Sequence, residues 1–374
     1  MRTLRAVPAV LSLLAAGAAA GSDSVTFREL LERWRAEQGL PAVAAAVVTG
    51  DSVLDIGAVG VRRLGSEDSV RLDDRFHIGS NGKAMTGFLA GALVERGVLG
   101  WDTGILDALP GFEGTARAEY REKTLLDVLS HRAGIIPLKT GAEWDSVPEF
   151  EGDVSTRRRA FAGWLLAQPP VGPDSALGYR YSNGGYALAG ALLEQAAGKT
   201  WERLMSEELF ARAGMDGRSG WPARADPSQP WGHYYDADSG RLIPHDPRDE
   251  YQLPDICSAA GDISLSVSDY ARFLQLNLLG LGGRDTLIRS ATWRFLHTGG
   301  DTSARYAVGW GRAERGGLRV SRHDGSAGTF YCTAVVCRDQ DLAVAVIVNA
   351  ARPGTAEAVA ALADSLLRPS PGGN

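Results

Sequence analysis

The feature that most restricts the fold of this chain is the placement of strand-like runs at its two ends. Two lie near the start, around residues 41–49 and 52–60, joined by a Gly50-Asp51 turn. Four lie near the end, around 305–313, 318–324, 328–337 and 341–349. The middle reads as helices. Met85, Phe88, Leu89 and Leu93 share one face of a helix that starts near Ser80. Thr124 caps a second, TLLDVLSH, which stops at Gly134, and residues 183–197 and 200–213 give two more. The economical architecture is α/β: one mixed, mainly antiparallel sheet flanked by helices and built from both chain ends, with an inserted all-helical domain. The expected boundaries are 21–78 and 257–374 for the sheet domain and 79–256 for the helical one. Residues 216–256, rich in Gly, Pro, Asp and aromatics, read as a long loop. A cleft between the lobes is the expected active site.

Helices also bracket the sheet. Thr26 and Glu29 form a capping box before an apolar face of Leu30, Leu31 and Trp34. Ser266 and Asp269 cap a helix through Leu279, and an amphipathic helix covers about 356–367. At 44% hydrophobic the chain has enough apolar residues for a large core, and a net charge of -6 without a basic block argues against nucleic acid as a partner. Residues 1–20 have the layout of a secretory signal peptide. Arg2 and Arg5 precede an apolar run over 6–16, and Ala18-Ala19-Ala20 offers a cleavage site. That run is shorter than the roughly 20 residues a membrane span needs. A periplasmic or secreted protein without stable membrane insertion is expected. Cys332 and Cys337 lie five residues apart on one strand, on opposite faces and roughly 17 Å from each other, so they do not bridge. At most one disulfide could form, through Cys257; buried thiols are the better reading for all three.

Three motifs carry chemistry. In FHIGSNGKAMTGFLAG, Ser80 opens a helix and Lys83 follows three residues on, which puts both side chains on one face. The helix start supplies free N–H groups, and the Ser80 hydroxyl gains an amine base and an oxyanion donor in its own N–H. Lysine is rare in this chain: only Lys83, Lys123, Lys139 and Lys199 among 39 Lys and Arg. Arg cannot give up its proton, whereas a desolvated Lys can, so Lys83 inside an apolar helix points to proton transfer. Gly82 beside it leaves room for a ligand. In YRYSNGGYALAG, Tyr181 and Asn183 precede a helix. A Tyr hydroxyl of lowered pKa relays protons to a leaving group, and the Asn amide holds a substrate carbonyl. In RVSRHDGSAGTF, His323-Asp324-Gly325-Ser326 ends a strand. Gly325 lets a substrate approach, and the Ser326 N–H completes an oxyanion hole.

Taken in order, Ser-x-x-Lys, Tyr-x-Asn and a strand with basic-x-Gly, the chain resembles the serine β-lactamase and penicillin-binding protein superfamily. It looks most similar to the branch with class C β-lactamases, D-alanyl-D-alanine carboxypeptidases, D-aminopeptidases and related esterases. RFHIGSNGKAMTGFLAGALVERGVLGWDT, TLLDVLSHRAGI, AAGDISLSVSDYARFL and YAVGWG extend the resemblance over nearly all of the mature chain. It implies a β-lactamase/transpeptidase-like fold, Ser80 as nucleophile, and Lys83 with Tyr181 as the base system. It further implies Asn183 on the acyl amide, His323-Asp324-Gly325 in place of Lys-Thr-Gly, and an oxyanion hole from the N–H groups of Ser80 and Ser326. The expected reaction is hydrolysis of an amide or ester in a small molecule or peptide, with no metal and no cofactor.

The departure from the family pattern is His323-Asp324. Histidine is only partly charged at neutral pH, and Asp324 is an anion, so a bias against substrates bearing a carboxylate is expected. A literal Lys139-Thr140-Gly141 lies between the first two motifs and reads as surface loop. Gly198-Lys199-Thr200 lacks the glycine of a phosphate loop and reads as a helix end followed by a cap. Asp236 and Asp238 near Gly240 read as a hairpin turn. The competing reading is a binding or sensing protein that is acylated once and does not turn over.

Overall fold

The computed structural model describes residues 25–139, 141–174, 176–249 and 253–367. The signal-peptide expectation over 1–20 lies outside the described residues. Helix α1 (Phe27–Gln38) starts at the expected Thr26 capping box and ends on Gly39 in the left-handed region. Strands β1 (Ala42–Val48) and β2 (Val53–Gly60) follow as a hairpin. Strand β3 (Arg75–His77) then leads through a single turn, Gly79–Asn81, into helix α2 (Gly82–Glu95). The inserted region holds α3 (Leu125–Leu129), α4 (Val154–Ala167) and α5 (Asn183–Ala197). It is not purely helical: β4 (Arg218–Ser219) and the hairpin of β5 (His233–Asp236) and β6 (Arg241–Pro244) lie inside it. The β5–β6 turn falls where Asp236, Asp238 and Gly240 placed it.

After β7 (Ile263–Ser266) come α6 (Val267–Leu281) and α7 (Ser290–Thr298). The chain closes with β8 (Gly311–Arg315), β9 (Leu318–Ser326), β10 (Tyr331–Cys337), β11 (Leu342–Val348), β12 (Ala350–Ala351) and α8 (Thr355–Leu366). The expected strand at 305–313 begins only at Gly311. Before it, Gly309 (φ 78°) passes so close over α2 that a Cβ there would lie 2.5 Å from the Lys83 carbonyl oxygen.

The main sheet runs β2-β1-β11-β10-β9-β8, with every neighbour antiparallel. It therefore joins both ends of the chain. β1 is buried at all seven positions because both sheet faces are covered. Val43, Ala45 and Val47 join a core with Leu31, Val359 and Leu362 of α1 and α8. Ala42, Ala44 and Ala46 join the larger core that holds α2, α5 and α6. Cys332 and Cys337 point into opposite cores, and all three cysteines are free and buried. Helix α2 is buried from Gly82 to Leu93, as expected of a helix that is apolar all round. Among the described residues no helix is long and apolar enough to cross a membrane.

Candidate active site

Ser80 sits where three backbone segments converge. Ile78 N–H donates to Ile263 O at 2.9 Å, so β3 and β7 hold the turn from one side. His77 Nδ1 accepts the Gly79 N–H at 3.1 Å, and its Nε2 lies 3.0 Å from the Asp262 carboxylate. Glycines allow the close approach. A Cβ on Gly79 would lie 2.7 Å from Ser326 N, one on Gly325 2.9 Å from Ser80 N, and one on Gly261 2.4 Å from Gly79 O. The backbone nitrogens of Ser80 and Ser326 are thereby drawn together at the contact of β9 with the turn.

Lys83 is fully buried, and its partners are unusual for a cation. Its Nζ lies 2.8 Å from Asn183 Oδ1, 2.5 Å from Ala260 O and 3.0 Å from Ser80 Oγ. It also faces the rings of Tyr181 and Tyr186, at 4.8 and 5.4 Å from their centroids. None of these groups is a carboxylate. Burial away from water lowers the Lys83 pKa to about 7, and the Lys139 charge acts in the same direction. A neutral amine has two N–H bonds and one lone pair. The oxygens of Asn183 and Ala260 can only accept, so they take both N–H groups. The lone pair is left for the Ser80 hydroxyl.

Tyr181 lies in the loop before α5 with Lys83 Nζ 4.8 Å from its ring centroid. Its pKa is raised, not lowered as expected, because its buried surroundings disfavour the phenolate. Asn183 opens α5, and Ser182 caps that helix through Gly185 N at 2.7 Å. The Asn183 Nδ2 donates to Leu138 O at 3.0 Å, which fixes the amide with its oxygen toward Lys83. Ser80, Asn183 and Ser326 all line one cleft of about 480 Å³.

A model of the Beta-lactamase family matches residues 26–368, nearly the whole chain. The chain belongs to the beta-lactamase family. It is similar to penicillin-binding protein 4 of Amycolatopsis lactamdurans, at 25% identity over 87% of this chain and 85% of that protein. It is also similar to an unguisins hydrolase of Aspergillus campestris, at 25% identity over 81% of this chain and 56% of that protein. The fold matches a class C beta lactamase from Rhodobacter sphaeroides with a TM-score of 0.68 and 20% identity, covering 90% of this chain and 97% of that one. The resemblance to the serine β-lactamase and penicillin-binding protein superfamily and the mixed α/β fold are thus established.

Around this cleft, five further expectations are corrected. His323 is buried, with a pKa lowered to about 4 by burial and then by the Lys83 charge. Its Nδ1 lies 2.8 Å from Asp324 O, a carbonyl that can only accept, so Nδ1 carries the proton. Its Nε2 then accepts from Tyr306 Oη at 2.9 Å. His323 is neutral and has both nitrogens occupied within the protein. Asp324 turns to the other face of β9, where its carboxylate takes two donors of Arg322 at 2.9–3.1 Å and the Thr333 hydroxyl at 2.7 Å. It is not the charge that faces substrate. Gly325 makes room for protein rather than ligand: a Cβ there would lie 2.0 Å from Ile78 O. Gly82 likewise faces Gly261, whose Cα would lie 3.0 Å from an added Cβ.

Lys139 is the fifth. It is exposed, as a surface-loop residue would be, but it lines the same cleft as Ser80 and Ser326. Its Nζ stands 5.0 Å from the centroid of the Tyr181 ring. The reason is local: Asn183 N–H donates to Pro137 O at 2.8 Å and Asn183 Nδ2 to Leu138 O, which binds the loop to the start of α5.

Sequence reasoning also missed a layer behind the site. His131 packs among Tyr179, Tyr181, Tyr186 and Tyr306, at 4.5–6.1 Å between ring centroids. Its pKa is held well below the ordinary value by burial. His131 and Tyr306 fall within the family-like segments TLLDVLSHRAGI and YAVGWG, so the signal was present without a role attached. The Ala260 carbonyl carries no sequence signal. Among the described residues no group of His, Cys, Asp and Glu has the arrangement to hold a metal ion.

Proposed function

We propose that this chain is an exported serine hydrolase that cleaves amide or ester bonds through an acyl-enzyme on Ser80. The observation that carries the reading is the arrangement around Lys83. A buried amine without a carboxylate partner has its lone pair directed to Ser80 Oγ at 3.0 Å. In the proposed reaction, Ser80 Oγ attacks the substrate carbonyl carbon while its proton passes to Lys83 Nζ. The N–H groups of Ser80 and Ser326 hold the oxyanion. The neutral Tyr181 hydroxyl gives its proton to the leaving group and regains one from Lys83. Water then attacks the acyl ester by the reverse proton path and frees Ser80. The substrate class is a β-lactam, a D-amino peptide or a short acyl ester, and export by residues 1–20 belongs to the same proposal.

A second reading, acylation without turnover, draws on the name of the Amycolatopsis relative, a penicillin-binding protein. Pre-steady-state kinetics on a panel of chromogenic esters and β-lactams separates the two. Hydrolysis predicts continued release after the first equivalent, lost in Ser80→Ala. A single burst with no steady phase on every substrate supports the second reading. Undiminished turnover in Ser80→Ala removes both.

A further inference from the structure

We propose that Lys139 is the anion-recognition residue of the cleft, and that the preferred substrate carries a carboxylate which seats on its ammonium. The inference rests on the hydrolase reading above and adds the chemical class of the substrate.

Among the described residues that line the cleft, Lys139 alone bears a charged side chain; the others include Ser80, Asn183, Cys257, Trp144 and Ser326. The position where the family resemblance placed a cation is occupied by His323, which is buried, neutral and internally satisfied. Asp324, the one anion of that motif, is paired with Arg322 and Thr333 on the opposite sheet face. Lys83 is committed to Asn183, Ala260 and Ser80. A substrate entering the cleft therefore meets one exposed cation and no facing described carboxylate among the lining residues.

The backbone is built to place that cation. Leu138 adopts φ 50°, in the left-handed region that a branched side chain rarely enters. This turns its carbonyl onto Asn183 Nδ2 at 3.0 Å and sends the next residue across the Tyr181 ring. The Glu143 carboxylate accepts the Lys139 backbone N–H at 2.5 Å and anchors the loop from below. An ammonium over an aromatic face and in a partly enclosed cleft is less hydrated than one in bulk water, so its bond to a carboxylate is worth more.

The test uses paired neutral and anionic esters. In one pair the acyl half ends in a carboxylate or a methyl group: the p-nitrophenyl monoester of glutarate against p-nitrophenyl valerate. In the other the leaving half differs: m-carboxyphenyl acetate against phenyl acetate. The readout is the ratio of kcat/KM, anionic over neutral, in wild type, Lys139→Gln and Lys139→Glu. The ratio should fall about tenfold in Lys139→Gln for at least one pair, the factor for a charged hydrogen bond of about 1.5 kcal/mol, and further in Lys139→Glu. The pair that responds says which half of the substrate carries the anion. Ratios unmoved in both variants, with Ser80-dependent turnover intact in wild type, overturn the inference and leave the hydrolase reading standing. If none of the four esters is turned over, the same variants are read on a chromogenic cephalosporin, an anionic substrate: unchanged kcat/KM in Lys139→Gln overturns the inference alone, and no Ser80-dependent turnover there either overturns both. Lys139 is exposed, so loss of folding is not expected in either variant; circular dichroism checks this.

Discussion

Two buried cations, Arg158 and Lys83, sit at opposite ends of one turn, Asp255–Ala260, and they are treated in opposite ways. Arg158 on α4 is 1% exposed. Its guanidinium meets Glu194 at 2.6 Å, Glu202 at 3.0 Å and the Asp255 carbonyl at 2.6–3.0 Å. Burial alone would lower its pKa, but Glu202 and Glu194 outweigh this and raise it. Lys83 is 0% exposed and binds the Ala260 carbonyl at the other end of the same turn. It has only neutral partners, and its pKa falls to about 7. Equal burial thus produces a permanent cation in one place and a titrating amine in the other. Carboxylate partners make the difference. One site ties α4 and α5 to the turn; the other, in the proposed mechanism, transfers a proton.

The largest effect should come from making Lys83 resemble Arg158 in chemistry. In Lys83→Arg the guanidinium stays protonated and cannot accept the Ser80 proton. The expected loss in kcat/KM is about 10²–10⁴-fold, the usual cost of losing a general base. Near-normal turnover in this variant would show that Lys83 serves only as a fixed charge.

Next is the structural cation. Arg158→Met leaves the buried Glu194 and its neighbour Glu202 without their partner, so unfolding free energy should drop by about 3–5 kcal/mol. Denaturant titration measures this. The acid limb of kcat/KM in the folded fraction should stay near pH 7, because Lys83 keeps its own partners. A moved limb would mean that the two cations are coupled through the turn.

The smallest change gives Lys83 the carboxylate it lacks. In Asn183→Asp the new anion would stand where Oδ1 now lies, 2.8 Å from Nζ. An opposite charge at that range raises a lysine pKa by about 1–3 units. In the proposed mechanism the active form is the neutral amine, so the acid limb should move to higher pH by that amount, and activity at pH 7 should fall about 5- to 500-fold. A limb that stays put would place the titration on another group.

The sheet, the helix caps at Thr26 and Ser266 and the three motifs were legible because each is a local pattern. Periodicity fixes which side chains share a face, and a cap is written within four residues. The scarcity of lysine likewise singles out Lys83 along the chain. What escaped was non-local. Orientation separated Asp324 from the cleft: a strand alternates sides, and the partner Arg322 two positions back lies on the same face as Asp324. Burial neutralised His323, and no count along the chain reports it. Motif order along the chain reads Lys139 as surface loop, yet the hydrogen bonds of Asn183 draw its loop to the cleft. The helices Val154–Ala167 and Ser290–Thr298 also went unread, and with the first of them the buried ion cluster around Arg158.

The central claim is that a neutral Lys83 activates Ser80. Its most direct test is the rate at which a neutral fluorophosphonate probe labels the intact protein as pH is varied, with the adduct located by peptide mass spectrometry. The claim predicts an adduct on the Ser80 peptide, forming about tenfold faster per pH unit below about 7 and at a constant rate above. A labelling rate independent of pH across that range, or an adduct undiminished in Ser80→Ala, would contradict it.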